Sequence, residues 1–392
     1  MNSRFGRKNS RRAVALGLGL AIAAGAMVLP AAASAKPAKI KVMSRNLYLG
    51  ADLTPALLAT DQIDLIEEAF KVTDAVRETN FTARARRLAD EVKAQNPHLI
   101  GLQEVALWRR GPVGTFDGPA TPSTEVVYDF LDEFTNQLDN RGLNYRVAVV
   151  QTETDFEVPI DNVDDDAFGD GGNPANLRDA RLTMRDAILV RKGVKVKKAE
   201  SDNYNFALPV DIAPDGAGPE DISAPRGWTA VNAQVRRKKN RRKFRFVNTH
   251  LEAFSAAIRR AQASELVIAG GPVDSKLPVI LVGDLNSDPD DPSIDPGPPG
   301  TVGNAEAYGL VAAAGFVNRG VTVDTCCHDA DLLNATAAFG PNSRIDHILT
   351  DTPGKVIGES ATLLGTDPAF KTATGLWPSD HGGVVARLKL VR

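Results

Sequence analysis

The chain has 392 residues, of which 43 % are hydrophobic and 24 % charged, with a formal net charge of −3. So mild an acidic balance argues against broad electrostatic adhesion to nucleic acid, but it is compatible with a site where a bound cation supplies local positive charge. The only two cysteines, Cys326 and Cys327, are adjacent, so no long loop can be closed and a disulfide framework is excluded.

The first 35 residues read as a leader rather than as fold. Arg4, Arg7, Lys8, Arg11 and Arg12 form a basic head, an apolar run follows from Ala13 to about Val28, and Ala33-Ser34-Ala35 supplies small residues for cleavage. That run is short of the roughly 20 residues a membrane span requires. Cleavage after Ala35 is expected, leaving a secreted chain without a transmembrane anchor. Ser10-Arg11-Arg12 keeps a twin-arginine route open beside the ordinary secretory one. Losing five positive charges and no acids takes the net charge from −3 to −8. One domain over residues 36–392 is expected, because the motifs below fall on both sides of every irregular stretch.

Along that domain, Ile40–Ser44 predicts the first buried strand. Ala85, Leu88, Ala89 and Val92 follow the spacing of one apolar helix face, and Asn96-Pro97 stops that helix. His98 stands on the approach to a strand over Leu99–Val105 and reads as structural. Strands follow at Tyr145–Gln151 and Asp186–Arg191, separated by Glu153 to Asp170, which carries eight acids and no Lys or Arg. This acidic stretch reads as a solvated loop, with calcium as the alternative. Pro209 to Gly227 and Asp288 to Gly303 read as irregular surface. Arg236 to Arg245 holds eight basic residues in ten, the tip of a hairpin that either solubilises the chain or grips phosphate. Phe244–Leu251 and Pro278–Gly283 are strands on either side of a helix from about Ser255 to Ala269. The Cys326-Cys327-His328-Asp329 cluster lacks zinc-ligand spacing and reads as a vicinal disulfide or a pair of loop thiols. Strands at Arg344–Thr350 and Val384–Leu390 complete a mixed α/β domain.

The chemistry lies where strands end. Side chains two apart share a strand face, so Ile100 and Leu102 lead to Glu104, Phe244 and Phe246 to Asn248 and His250, and Ile280 and Val282 to Asp284 and Asn286. Several apolar strands that each end in Glu, Asp, Asn or His imply one rim on which carboxylates converge, a setting for a hard cation with oxygen ligands. Of the five histidines, three stand in motif-like settings: Asn248-Thr249-His250, Arg344-Ile345-Asp346-His347 and Ser379-Asp380-His381.

In order, Ser44-Arg45-Asn46, Leu102-Gln103-Glu104-Val105, Asn248-Thr249-His250-Leu251, Gly283-Asp284-Leu285-Asn286, Arg344-Ile345-Asp346-His347 and Ser379-Asp380-His381 resemble the motifs of the endonuclease/exonuclease/phosphatase superfamily. The matches span nearly the whole mature chain. The resemblance implies a four-layered α/β sandwich of two mixed β-sheets flanked by helices. It also implies a divalent cation (Mg²⁺, or Mn²⁺ or Ca²⁺) on Glu104, with Asn46 and Asp380 beside it. Asp284 and Asn286 would orient the attacking water and bind phosphoryl oxygens, Asp346 would hold His381 in one tautomer, and His250 would be a second phosphate-facing imidazole. Asp186 is either an auxiliary polar residue or simply the start of its strand.

Asn46 is followed by Leu47-Tyr48, where abasic-site endonucleases carry an acid, and those enzymes lack the counterpart of His250. The expected activity is therefore extracellular phosphodiester hydrolysis, with nucleic acid as the leading substrate and a sphingomyelinase-like attack on phospholipid, or a phosphomonoesterase, as alternatives. No obligate protein partner is implied. A lipid-active version would expose aromatic residues near the site. Trp108 and Trp377 are candidates for this, and equally candidates for the core. The rival from another class is a binding module on the same fold that has lost catalysis.

Overall fold

The computed structural model describes residues 37–112, 123–160, 178–210, 222–237, 240–295, 301–351 and 354–391. The expected leader lies outside them.

Helices start where a side chain can take up free backbone N–H groups. After the short α1 (Thr54–Leu57), Asp61 accepts from Ile63 and Asp64 and opens α2 (Gln62–Glu78). Asn80 caps α3 (Phe81–Gln95) and Asp129 caps α4 (Phe130–Asn140). Ser255 caps α5 (Ala256–Val267), and α6 (Glu306–Ala313) follows later. α3 ends as expected, with Asn96 in the left-handed region at φ 49° just before Pro97.

The strands, numbered in chain order, form two large sheets. The first runs β17 (Val356–Leu363), β18 (Val384–Leu390), β1 (Ala38–Asn46), β2 (Leu99–Gln103), β6 (Arg178–Arg191), β3 (Leu107–Pro112) and β4 (Glu125–Asp129), with β5 (Tyr145–Ile160) also paired to β6. The second runs β15 (Val317–Asn318), β16 (Asp346–Thr350), β12 (Val279–Asp284), β11 (Asn240–His250), β10 (Gly227–Arg237) and β7 (Lys195–Asn203). Two ribbons, β8 (Leu208–Val210) with β9 (Ile222–Ala224) and β13 (Ile294–Asp295) with β14 (Val302–Gly303), stand apart. Both sheets are mixed: β1 and β2 are parallel, as are β11 and β12, and their other pairings are antiparallel.

Three apolar layers hold four layers of structure together. Val42, Leu99 and Ile188 of the first sheet meet Phe244, Phe246 and Ile280 of the second in the central layer. Helices α2, α3 and α4 cover the outside of the first sheet through Leu65, Leu88 and Phe134. α5 covers the outside of the second through Ala263 and Leu266, with Val311 of α6 in the same layer. This is the expected four-layered sandwich.

Three expectations need correction. Glu153 to Ile160 is the second half of β5 rather than loop, and only residues 161–170 of that stretch lie outside the described residues. Two of its acids, Asp155 and Glu157, stand beside Arg181 of β6 at 2.7 and 3.8 Å, and Ser123 also donates to Glu157 at 2.7 Å. Asp186 does not start a strand, since β6 begins at Arg178. The basic segment does form a hairpin between β10 and β11, but Arg245 is buried against Glu200 at 2.8 Å rather than free at the tip.

Candidate active site

The topology gathers strand ends from far apart in sequence. β1 and β2 run parallel and finish together, with Asn46 beside Gln103. β11 and β12 also run parallel, and register places His250 beside Asp284. β16 runs the other way from β12, so its first residue, Asp346, pairs with Asp284. β18 is antiparallel to β1, and Asp380-His381 lie just before it. One end of the sandwich thus holds every residue that the sequence motifs single out.

Close approach there, between the sheets at one and between neighbouring strands at the other, depends on two glycines. A Cβ on Gly101 would lie 2.3 Å from Asn248 Oδ1 and 2.5 Å from Val282 Cγ2. With no Cβ in the way, Asn248 reaches between the sheets, accepts from Gln103 and donates to Asp186 at 3.1 Å. Gly283 has φ 150°, and a Cβ on it would meet the Thr249 carbonyl at 2.0 Å, so only glycine allows β11 and β12 to deliver His250 and Asp284 side by side.

Glu104 reaches the site by another route than strand alternation. Ile100 and Leu102 face the helices, so alternation would send Glu104 the same way. Instead Glu104 takes φ 51° and turns in, where Asn46 Nδ2 donates to its Oε1 at 2.8 Å and Leu49 N to its Oε2 at 2.7 Å. Tyr48 at 59° and Asn286 at 47° are also left-handed. Strained backbone in non-glycine residues gathers at functional sites.

The centre is densely connected. Asn46 Nδ2 is also 3.2 Å from Asp284 Oδ2 and 3.5 Å from His381 Nε2. His381 Nδ1 lies 2.9 Å from Asp346 Oδ2 and 3.6 Å from Asp284 Oδ2. Asn286 N donates to Asp284 Oδ1 at 2.9 Å, and its side chain donates to the Leu251 carbonyl. Asp186 lies within a buried group with Glu153 and His250, one ligand atom of each within 4.8 Å of the others.

The two imidazoles are pushed apart. Burial alone would lower the pKa of His381, but Asp346, Asp380 and Asp284 outweigh it and hold the ring well above the usual imidazole range. Burial and the Arg226 guanidinium hold His250 well below it. Arg226 Nη1 lies 3.2 Å from His250 Nδ1. Arginine has no acceptor, so Nδ1 accepts and the His250 proton sits on Nε2, which lies 3.7 Å from Asp284 Oδ2.

Carboxylates crowd the same space. Burial, with Glu104 adding to it, pushes Asp284 up to about 7 and Asp380 up to about 6. A hard divalent cation relieves such crowding, and it takes oxygen donors of this kind. Among the described residues, ligand atoms of Asp284, Asp346 and His381 lie within 4.8 Å of one another, as do those of Glu153, Asp186 and His250, and Asn46 Nδ2 links Glu104 to the first of these groups.

Residues 75–381 match the Endonuclease/Exonuclease/phosphatase family. The chain belongs to that family. Its members are generally metal-dependent phosphoester hydrolases. A family protein from Bacteroides thetaiotaomicron is 17 % identical with a TM-score of 0.52, the match covering 91 % of this chain and 100 % of that one. A mannosyl-6-phosphatase of the same organism is 17 % identical with a TM-score of 0.48, covering 89 % and 99 %. The human Nocturnin catalytic domain with bound sulfate is 17 % identical with a TM-score of 0.45, covering 91 % and 94 %. At such identity the first of these likenesses speaks for the fold alone, and the other two carry no argument. No curated protein gives a significant match.

Family motifs do not cover everything that supports the site. Arg226 falls in a stretch whose Pro and Gly content reads as loop, yet it stands between His250 and Glu252, 3.6 Å from the latter. Arg45 is fully buried, paired with Glu91 at 3.0 Å, and donates to the His381 carbonyl. Arg84, on α3 next to the apolar face read from Ala85, Leu88, Ala89 and Val92, donates to the carbonyls of Leu47, Tyr48 and Pro378 and so ties together the loops after β1 and before β18. The remaining histidines are structural: His98 Nδ1 accepts from Lys41 N, His347 contacts the Ser287 carbonyl, and His328 stacks on Trp377. Trp108 and Trp377 belong to the core. Cys326 and Cys327 are joined in a vicinal disulfide, with Cys326 Sγ 3.5 Å from His381 Nε2.

Proposed function

We propose that this protein hydrolyses a phosphodiester with the help of Mg²⁺ or a similar divalent ion. The observation that carries this reading is the meeting of Glu104, Asp284, His250 and the Asp346–His381 pair at one end of the sandwich. Every position the reaction needs is filled, which also speaks against a non-catalytic binding module.

A cation on Glu104 and Asp380 would offset negative charge on the phosphoryl oxygens. Asp284, lifted toward neutrality and fixed by the Asn286 backbone, orients the attacking water and accepts its proton. The water oxygen forms the new bond to phosphorus as the opposite P–O bond breaks. His381, charged through Asp346, donates its Nε2 proton toward the departing oxygen, leaving a phosphomonoester and an alcohol. His250, neutral with its proton on Nε2, donates to a non-bridging oxygen.

The basic hairpin gives nucleic acid little support as substrate. Arg241 and His250 are nine residues apart along β11, roughly 30 Å at the rise of a strand, so the charge cluster and the site lie at opposite ends. The basic head, apolar run and Ala33-Ser34-Ala35 support export through a cleaved leader. The deciding experiment is turnover of bis(p-nitrophenyl) phosphate. Activity that EDTA abolishes, Mg²⁺ or Mn²⁺ restores and Glu104→Gln lacks is the expected outcome, and metal-independent or absent turnover would overturn the reading.

A further inference from the structure

Next to the catalytic carboxylates lies a cavity of about 460 Å³ whose walls are largely apolar. One wall comes from the segment after β1 and from α1 and α2, including Leu53, Ala56 and Leu65, and the opposite wall from β5 and β6, including Phe156, Ala180 and Leu182. Glu104, His250, Asp284 and His381 line the same cavity. Leu65 and Leu182 are buried within the helix-covered core of the first sheet, yet they face this space instead of packing it shut. Protein cores are close-packed, with few voids larger than a water molecule, and an apolar void that does persist takes up apolar guests. A nucleotide would leave its sugar and base edges unpaired against such walls.

Exposed apolar residues adjoin the lining. Phe254 lines the cavity and is 48 % exposed, and Leu58, at 71 %, directly follows the lining residue Leu57. Phe206, half exposed, stands two residues before the lining residue Leu208. Apolar side chains left in water beside an apolar cavity suit a substrate that enters from an amphiphilic phase.

Resting on the hydrolase reading above, we propose that the substrate is an amphiphilic phosphodiester, with its phosphate at Glu104 and His381 and one hydrocarbon chain in the cavity between α1–α2 and β5–β6. Leu53, Ala56, Phe156 and Leu182 then set specificity by chain length, while the polar end sets the chemistry.

The test is a series of p-nitrophenyl alkyl phosphodiesters, from methyl through butyl and octyl to dodecyl, assayed with Mg²⁺ below the concentration at which they aggregate. Each added methylene is expected to raise kcat/KM by up to about fourfold until the cavity is full, after which the rise stops. Ala56→Trp and Ala180→Trp, on opposite walls, should each lower the octyl-to-methyl ratio of kcat/KM by at least tenfold, a readout that normalises for the amount of folded enzyme. A flat wild-type series with the methyl ester still turned over would overturn the chain-binding cavity and leave the hydrolase reading intact. Absence of metal-dependent turnover across the whole series would overturn both.

Discussion

His381 is buried among acids, and that decides which way its activity responds to pH. Asp346, Asp380 and Asp284 favour the imidazolium, so the donor is lost only as pH rises through its elevated pKa. Asp346→Asn removes the nearest of these charges, at 2.9 Å. The alkaline limb of the kcat/KM profile is expected to move to lower pH, with kcat down by about 10²- to 10⁴-fold, the range of general acid–base catalysis. An unmoved limb would mean that Asp346 does not hold the proton on His381. Arg226 acts on the other ring. It repels the charged form of His250 and fixes Nδ1 as acceptor. Arg226→Met should let the His250 pKa rise, as read by NMR titration of the ring. It should also reduce kcat/KM by about 10- to 100-fold, as for outer partners that orient a site histidine, and Arg226→Lys should recover only part of this. Nothing in the sequence around Arg226 announces it. Its partners Glu153, His250 and Glu252 come from other segments: the antiparallel return of β10 beside β11 brings it to the last two, and β5, held by Gly227 N donating to Glu153, brings the first.

At the scale of elements, the strands readable from sequence were those whose apolar residues face the central layer, because inward faces on two stacked sheets leave a plain pattern. The second half of β5 was not readable. Its Asp155 and Glu157 look like solvated charge until Arg181, on the neighbouring strand, is known to lie across from them. The α2 signal was present, with Leu65, Ala69, Val72 and Val76 buried on one side after the Asp61 cap. Strand alternation located Glu104 correctly for the wrong reason: Ile100 and Leu102 face the helices, and a left-handed residue, not the phase of the strand, brings the carboxylate in. Gly101 is the clearest test of how the elements fit together. A methyl group there would occupy the space of Asn248 and Val282 on the facing sheet. Gly101→Ala is expected to cost about 1–3 kcal/mol, the usual penalty of overpacking a dense core. Denaturant unfolding measures it, and a loss below about 0.5 kcal/mol would show that the sheets have room to part.

Across the whole molecule, the crowded acids link stability, pH and cation binding. In the folded chain without a cation, burial and mutual repulsion raise Asp284 and Glu153 to about 7 and Asp380 to about 6, and lift Asp186 as well. An acid with a raised folded pKa binds its proton more tightly in the folded state, so stability is full below the ordinary carboxylate range near 4 and falls as pH rises through about 6 to 7. His381, also raised, adds to the loss on the alkaline side. His250 has the opposite sign: its depressed pKa means that the unfolded ring takes up a proton first, which costs stability as pH falls below about 6.5. The metal-free protein is therefore expected to be most stable on the mildly acidic side of neutrality. A divalent ion binds the ionised carboxylates and competes with their protons, so its stabilisation should grow with pH. With Mg²⁺ or Mn²⁺ at 100 times its Kd, the gain is about 2.7 kcal/mol. The rise in Tm on adding the ion should be large at pH 8 and small at pH 5, and Glu104→Gln should remove most of it at pH 8. An increment independent of pH would mean that the ion binds somewhere other than this cluster of acids.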